Sequence, residues 1–393
     1  MSGMNDEKQA AASLVTPPGS GGIAVIEVRG PAAGDVVAAV FAPKSGRNWL
    51  AEPEGRLHYG HVRDGGDIVD EALVRLAPRG DGAGAVEVNC HGGIVTAAEV
   101  MRLLVKAGAV ELPPAAFGDR AAADAGLDRI QAAALRLLPA AETRLAVRVL
   151  CDQLDGALSR AVKAIDLAAP DASDRLGLLA ASAEFGKALT RPRRVALVGS
   201  PNAGKSTLFN ALVGHNRTIV SAAPGTTRDF INEFIALGGY PLELIDTAGL
   251  RRHGGIIEMK GVEATWGVVS AADLIVIVAD GSRAMTNSER ELARAMLPRA
   301  PILVLNKSDM AAAPEEQPDA AGAITCIVSA LTGDGLPKLE RAILQRFPDP
   351  AAYPPGAAVA LTEEHENALE QAGARCRSGQ AALAADELAA LLT

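Results

Sequence analysis

The sequence predicts an α/β domain inserted in an α-helical domain and preceded by an α+β N-terminal domain. Three observations carry this prediction. Between residues 195 and 347, short apolar, β-branched runs alternate with helical stretches, the pattern of a mostly parallel sheet covered on both faces. Helical patterning rich in Ala, Leu and Arg precedes that block from 117 to 181 and returns from 363 to 392, as an insertion requires. Residues 14–115 read instead as strand-rich, mixed structure. The expected domains are therefore 1–115, then 116–191 together with 349–393, and 192–348.

Composition sets the bounds. The 393-residue chain is long enough for two or three domains of roughly 100–200 residues each. Apolar residues make up 49% and aromatics only 3%, so Ala, Val, Leu and Ile must fill the core. Lys plus Arg number 38 against 47 Asp plus Glu, a formal net charge of −9. That excludes a protein held on nucleic acid by bulk positive charge; any RNA contact is local or made through a partner. Cys90, Cys151, Cys326 and Cys376 lie far apart without a CxxC pair, which fits neither a disulfide framework nor a zinc ribbon and suits a reducing cytoplasm. No apolar run approaches the ~18–20 residues of a membrane span, and the opening MSGMNDEKQA is unlike a signal peptide. The expectation is a soluble, cytoplasmic protein with no membrane attachment.

In chain order, 23–26 and 72–76 read as strands bounded by Gly, Pro and Asp, and 35–41 and 95–107 as amphipathic helices. Pro113-Pro114 marks a break and Pro170-Asp171 separates two helices. Arg191-Pro192-Arg193-Arg194 reads as a hinge. Runs 195–198, 243–245, 274–278, 302–305 and 324–328 are the strands of the α/β block, and the Pro/Ala stretch 348–358 is its return linker. Cys90-His91 lacks the further ligands of a zinc site and reads as a Gly-flanked turn. His58, His61, His215, His253 and His365 read as surface or loop residues.

The chemistry is concentrated in the α/β block. Gly199-Ser200-Pro201-Asn202-Ala203-Gly204-Lys205-Ser206 matches GxxxxGK[ST], after a strand and before a helix over 207–213. Glycines let such a loop wrap a phosphate with backbone N–H groups and a helix N-terminus. Lys205 neutralises the β- and γ-phosphates and the Ser206 hydroxyl ligates Mg²⁺; Asn202, Ala203, Gly204 and Thr207 complete the contact set. Asp246-Thr247-Ala248-Gly249 follows a strand: its Asp holds magnesium through water and the Gly249 amide senses the γ-phosphate. Asn306-Lys307-Ser308-Asp309 ends another strand, where the Asp309 carboxylate accepts from guanine N1–H and N2–H₂, which adenine cannot offer. Ser329-Ala330 is placed to offer an amide to guanine O6. In Ala222-Ala223-Pro224-Gly225-Thr226-Thr227-Arg228-Asp229, Thr226 and Thr227 serve the γ-phosphate and Mg²⁺, and Arg228 reads as structural. Small GTPases often place a water-orienting Gln directly after the DxxG glycine. Leu250 stands there and cannot orient water, so another residue must. The whole is an α/β P-loop GTPase domain that binds GTP, inserted in an α-helical domain.

The set GSPNAGKS, PGTTRD, DTAGLR, NKSD and SA resembles the G domain of the MnmE/TrmE family of tRNA-modification GTPases. Thr16-Pro17-Pro18-Gly19-Ser20-Gly21-Gly22-Ile23 resembles that family's N-terminal signature. Val86-Glu87-Val88-Asn89-Cys90-His91-Gly92-Gly93 resembles its CHGG segment, and Gln153-Leu154-Asp155-Gly156-Ala157-Leu158-Ser159 its helical-domain segment. The resemblance implies K⁺ held by Asn202 and carbonyls of 222–226, and a homodimer whose G domains pair on GTP. It makes Glu258 the catalytic water-orienting residue, beside Lys205 and Thr227; the other reading of Glu258 is an acidic opener of a helix over 258–269. It further implies formyl-tetrahydrofolate in the N-terminal domain, an FAD-containing partner protein, and modification of the tRNA wobble uridine. Departures are plain: Ser20 and Glu27 stand where the family has basic residues, and its GEFTKRAFLNGKLDL segment is reduced to Phe117-Gly118-Asp119-Arg120 and Gly126-Leu127-Asp128-Arg129. The closing Ala390-Leu391-Leu392-Thr393 is not the family's Cys-x-Gly-Lys, and Cys376 reads as a helix-face thiol. The alternative expectation is a diverged GTPase acting as a regulatory or assembly switch without tRNA modification.

Overall fold

Alternate residues of β2 (Ile23–Arg29), namely Ala24, Ile26 and Val28, are buried, and so are Val86, Val88 and Cys90 of β6 (Ala85–His91). This period-two pattern belongs to a sheet with one face packed and the other open. Both strands lie in the first of two units into which the computed structural model divides, residues 1–136 with 392–393 and residues 137–391. The structure describes residues 10–17, 19, 21–77, 84–216, 232–247, 269–310 and 324–393. Besides β2 and β6, the sheet of the first unit contains β1 (Ala11–Leu14), β3 (Phe41–Pro43), β4 (Leu57–Asp64), β5 (Asp67–Leu76) and β7 (Val110–Glu111). Their order is β3-β4-β5-β6-β2-β1-β7, antiparallel except for the β1–β7 pair. Helices α1 (Ala33–Val40) and α2 (Ile94–Lys106) join the packed face: Val37, Val100, Leu103 and Leu104 share one apolar cluster with the buried strand residues. Helices α3 (Pro114–Asp124) and α4 (Arg129–Leu137) follow.

The second unit opens with α5 (Arg144–Leu154), α6 (Ala157–Lys163) and α7 (Ala172–Thr190), then enters the α/β block. That block comprises β8 (Arg193–Val198), α8 (Lys205–Asn216), β9 (Asn232–Leu237), β10 (Tyr240–Asp246), β11 (Leu274–Asp280), α9 (Asn287–Met296), β12 (Ile302–Asn306), β13 (Ile324–Ile327) and α10 (Leu336–Leu344). Strand order is β13-β12-β11-β8-β10-β9; only β9 runs antiparallel. Five residues of β12 and six of β11 are buried, as expected where both faces are covered. After β10 the chain crosses to the other side of β8, leaving a crevice at the carboxyl ends of the strands, where ligands bind in open α/β sheets.

Helices α11 (Glu363–Arg377) and α12 (Ala381–Leu392) close the chain, and α11 packs on α7, so helices before and after the α/β block join. Gln153 fastens the return. Its buried amide donates to the Val149 and Ala357 carbonyls and accepts from the Leu158 and Val359 amides, all at 3.0–3.1 Å. Phe185 of α7 stacks on Tyr353 (4.1 Å between centroids, 5° between planes) and meets Tyr240 edge-on at 6.1 Å, while Tyr240 stacks on Phe347 at 4.8 Å.

Several local expectations need correction. Arg193 and Arg194 are no hinge: they open β8 and pair with Asp273 and Glu243. Cys90-His91 is no turn but the end of β6. The Cys90 thiol donates to the Ala24 carbonyl at 3.5 Å, and burial pushes its pKa up to about 11, unlike a nucleophile. His91 is exposed, and its hydrogen bond to Asp70 raises its pKa. His58 is buried beside Trp49, and His365 is buried in α11 with Nδ1 accepting from the Leu361 amide. Neither is a surface residue: His58 packs against an aromatic ring and His365 is only 2% exposed. Cys376 lies on α11. Among the described residues no helix is long and apolar enough to cross a membrane.

Phe185→Ala should destabilise the second unit by about 3–5 kcal/mol, the usual cost of emptying a buried aromatic site. Urea unfolding followed by circular dichroism checks this, and an unmoved midpoint would deny the aromatic column its structural role.

Candidate nucleotide site

Four strands of one sheet deliver the predicted motifs to a single edge. The loop after β8 carries Gly199 to Gly204, β10 ends on Asp246, β12 ends on Asn306, and Ser329-Ala330 follow β13. The phosphate loop can be built only with glycine at two positions. Gly199 has φ +149° and a Cβ there would lie 2.0 Å from the Val278 carbonyl oxygen; Gly204 has φ +90° and its Cβ would lie 2.1 Å from Asn306 Nδ2. Asn202, at the exposed crown of the loop, has φ +62°, a conformation Asn tolerates better than most residues.

Lys205 opens α8 and is buried; its Nζ donates to the Gly199 and Ser200 carbonyls at 2.9 and 2.8 Å. The ammonium thus lies over the loop. Phosphate oxygens, being charged, are stronger acceptors than those carbonyls. The Ser206 hydroxyl donates to Asp246 Oδ2 at 2.7 Å, and Asp246 is only 2% exposed. A hydroxyl and a buried carboxylate facing each other are oxygen donors suited to a hard divalent cation such as Mg²⁺. Thr247 anchors the end of β10 by donating to the Leu197 carbonyl at 2.7 Å. Thr207 is exposed in the first turn of α8.

The base-recognition side is fastened to the phosphate side by Asn306, 2% exposed. Its Nδ2 donates to the Ala203 carbonyl at 3.0 Å and its Oδ1 accepts from the Ala330 amide at 2.9 Å. Asp309 is exposed, with one oxygen accepting from the Ser329 hydroxyl at 2.5 Å. Ser329 is itself fully buried and accepts from the Thr332 amide. The carboxylate is thereby oriented yet open to a ligand.

The structure therefore brings together Asn202, Ala203, Gly204, Lys205, Ser206, Thr207, Asp246, Asn306, Lys307, Asp309, Ser329 and Ala330. Thr226, Thr227, Gly249 and Glu258 lie outside the described residues. Sequence reasoning missed two acids that serve the site. Asp280, the last residue of β11, accepts from Lys307 Nζ at 2.7 Å; its only trace was an acid ending an apolar run. Burial pushes its carboxyl up, but hydrogen bonds from Lys307 and Ser282 outweigh that and hold it at about 2. Glu289, buried, takes both Arg283 guanidinium nitrogens at 3.0 Å and the Ser200 hydroxyl of the phosphate loop, and these donors outweigh desolvation to lower its pKa. Its signal was legible as Thr286-x-x-Glu289, a capping box, which the structure forms.

Fold and site together define a P-loop guanine-nucleotide-binding protein. A profile described as "50S ribosome-binding GTPase" matches residues 194–307, and one described as "GTP-binding protein TrmE N-terminus" matches residues 10–125. The chain belongs to the MnmE family of tRNA modification GTPases. The tRNA modification GTPase MnmE of Heliobacterium modesticaldum is 36% identical over 95% of this chain and 90% of its own length, and that of Listeria innocua 34% identical over 87% and 82%. Among solved structures, the G domain of the T. maritima FeoB iron transporter is 28% identical over 39% of this chain and 98% of its own length, with a TM-score of 0.31. Membership in the MnmE family makes the chain a GTPase.

Asn306→Ala would leave the Ala203 carbonyl and the Ala330 amide unpaired in a buried place, each costing about 1–3 kcal/mol. The expected result is a lower melting temperature together with GDP binding weakened by roughly tenfold or more. Melting and binding both at wild-type values would contradict the tether.

Proposed function

We propose that this chain hydrolyses GTP to drive a conformational cycle in modification of the tRNA wobble uridine, as a homodimer working with an FAD-containing partner protein. The observation that carries the guanine reading is Asp309, aimed by Ser329 at the edge of the crevice whose other wall is the phosphate loop. A polar recognition edge that the bound base would cover rejects a base that leaves it unpaired. Membership in a family of tRNA modification GTPases supports the tRNA role over a switch without that chemistry. The net charge of −9 leaves tRNA contact to local patches or to the partner. We place the protein in the cytoplasm.

In the proposed site Mg²⁺ is held by Ser206, by Thr227 and, through water, by Asp246; the ion supplies charge neutralisation to the β- and γ-phosphates. Asn202, exposed at the crown of the loop, with carbonyls of 222–226, holds K⁺. Lys205 draws charge from the transferring phosphoryl group, Thr227 and the Gly249 amide meet the γ-phosphate beside Thr226, and Glu258 orders the attacking water. Lys307, Asp309 and the Ser329-Ala330 backbone take the base. Formyl-tetrahydrofolate belongs to the 1–115 segment, while 116–191 with 349–393 forms the helical frame around the 192–348 G domain.

Asp309→Asn should shift preference from GTP toward XTP, because an amide can donate to the oxygen that replaces guanine's exocyclic amine. Unaltered GTP affinity would take Asp309 out of the base pocket. Glu258→Ala should leave GTP affinity near wild type and lower turnover by about 10²–10³-fold; wild-type turnover would reduce Glu258 to a helix opener. Hydrolysis should be faster in potassium than in sodium chloride and should rise with protein concentration, and equal rates in the two salts would remove the ion from Asn202.

A further inference from the structure

The turn that leaves β11 lies outside every motif used above, yet it grips the guanine-recognition loop twice. Asp280 stands opposite Asn306 in the parallel register of β11 and β12. One carboxylate oxygen accepts from Lys307 Nζ at 2.7 Å, and the other accepts from the Ser282 amide at 3.0 Å and its hydroxyl at 2.6 Å. The Gly281 amide donates to the Asn306 carbonyl at 2.7 Å. Lys307 requires this support, because its φ of +68° is a left-handed conformation that L side chains rarely adopt. Such residues persist only where their surroundings over-determine them. Two positions further on stands Asp309.

We propose that Asp280 is a positioning residue for guanine recognition: by holding the Lys307 ammonium it locks the left-handed kink that aims Asp309 at the base. The pair is well placed to do so. Lys307 and Asp280 side chains are only 27% and 14% exposed, so water and salt screen them less than a surface pair. With Asp280 held at about 2, the pair stays charged throughout the neutral range. A loop ordered in advance spares the nucleotide the cost of freezing a long side chain on binding. Asp280 thus acts through Lys307 rather than by touching the ligand.

The inference rests on the guanine-nucleotide reading of the site. Wild-type protein that failed to bind mant-GDP would end that reading, whereas wild-type binding leaves Asp280 as the question under test. Mant-GDP titrations of the full chain would compare wild type, Asp280→Asn, Lys307→Ala and the double variant, with melting curves to verify folding. Asp280→Asn should weaken binding roughly tenfold, the scale of a lost charged hydrogen bond, and Lys307→Ala at least as much. The double variant should bind no more weakly than Lys307→Ala alone. A merely structural role would add its loss to that of Lys307→Ala, so additive losses overturn the proposal. Unchanged or tighter binding by Asp280→Asn overturns it too, as does wild-type affinity in Lys307→Ala. Should Asp280→Asn fail to fold, Ser282→Ala removes the hydroxyl donor from the same carboxylate and keeps its charge and the backbone amide bond. It should weaken binding by roughly threefold, and that loss should vanish in the Lys307→Ala background; an absent or additive loss is again the overturning result.

Discussion

One buried amide, that of Asn306, joins the two halves of the nucleotide site. Its nitrogen donates to the phosphate loop at Ala203 and its oxygen accepts from Ala330 in the base-recognition turn. These three residues are distant in sequence and meet only because β8, β12 and β13 end at the same edge of one sheet. Hydrogen bonds made away from water are costly to leave unmade, so Asn306 sets the spacing between the part of the site that takes phosphate and the part that takes the base. The same closeness leaves Gly204 no room for a side chain.

Around that tether, an acidic chain presents a locally cationic cradle to an anion. Lys205 crosses the loop, and the first amides of α8 have no partners within the helix, so positive potential collects where the phosphates belong. The negative groups beside it are engaged in other tasks: Asp246 faces Ser206 as an oxygen pair for a hard cation, and Glu289 is neutralised by the Arg283 guanidinium. Net charge therefore says little about a site whose fields are set within a few ångströms. It still bears on long-range attraction to RNA.

The helical segments matter because they frame the α/β block rather than trail from it. Gln153 satisfies all four of its hydrogen-bonding positions on two local and two distant backbone groups. The rings of Phe185, Tyr240, Phe347 and Tyr353 bury the opening end of β10 against α7. In a chain with only 3% aromatic residues, gathering four of them at this junction fixes the strand whose far end carries Asp246.

Local order along the chain was enough to read the phosphate loop, the guanine motif and the parallel strands. Glycine tolerance, strand-terminal position and β-branched runs are properties of a few neighbouring residues. Edge strand β9 escaped notice because Asn232–Leu237 mixes polar and apolar residues, and it is antiparallel, set by its pairing with β10. His58 and His365 were misplaced at the surface because a ring's burial depends on what packs over it. Asp280 and Glu289 were invisible as parts of the site for the same reason: each acts on a loop reached only through the sheet's register or a helix cap. Sequence determined which chemistry the chain carries, since motifs are local. Tertiary structure alone decided which side chains hold that chemistry in place, because those contacts exist only after strands distant in sequence have been brought to one edge.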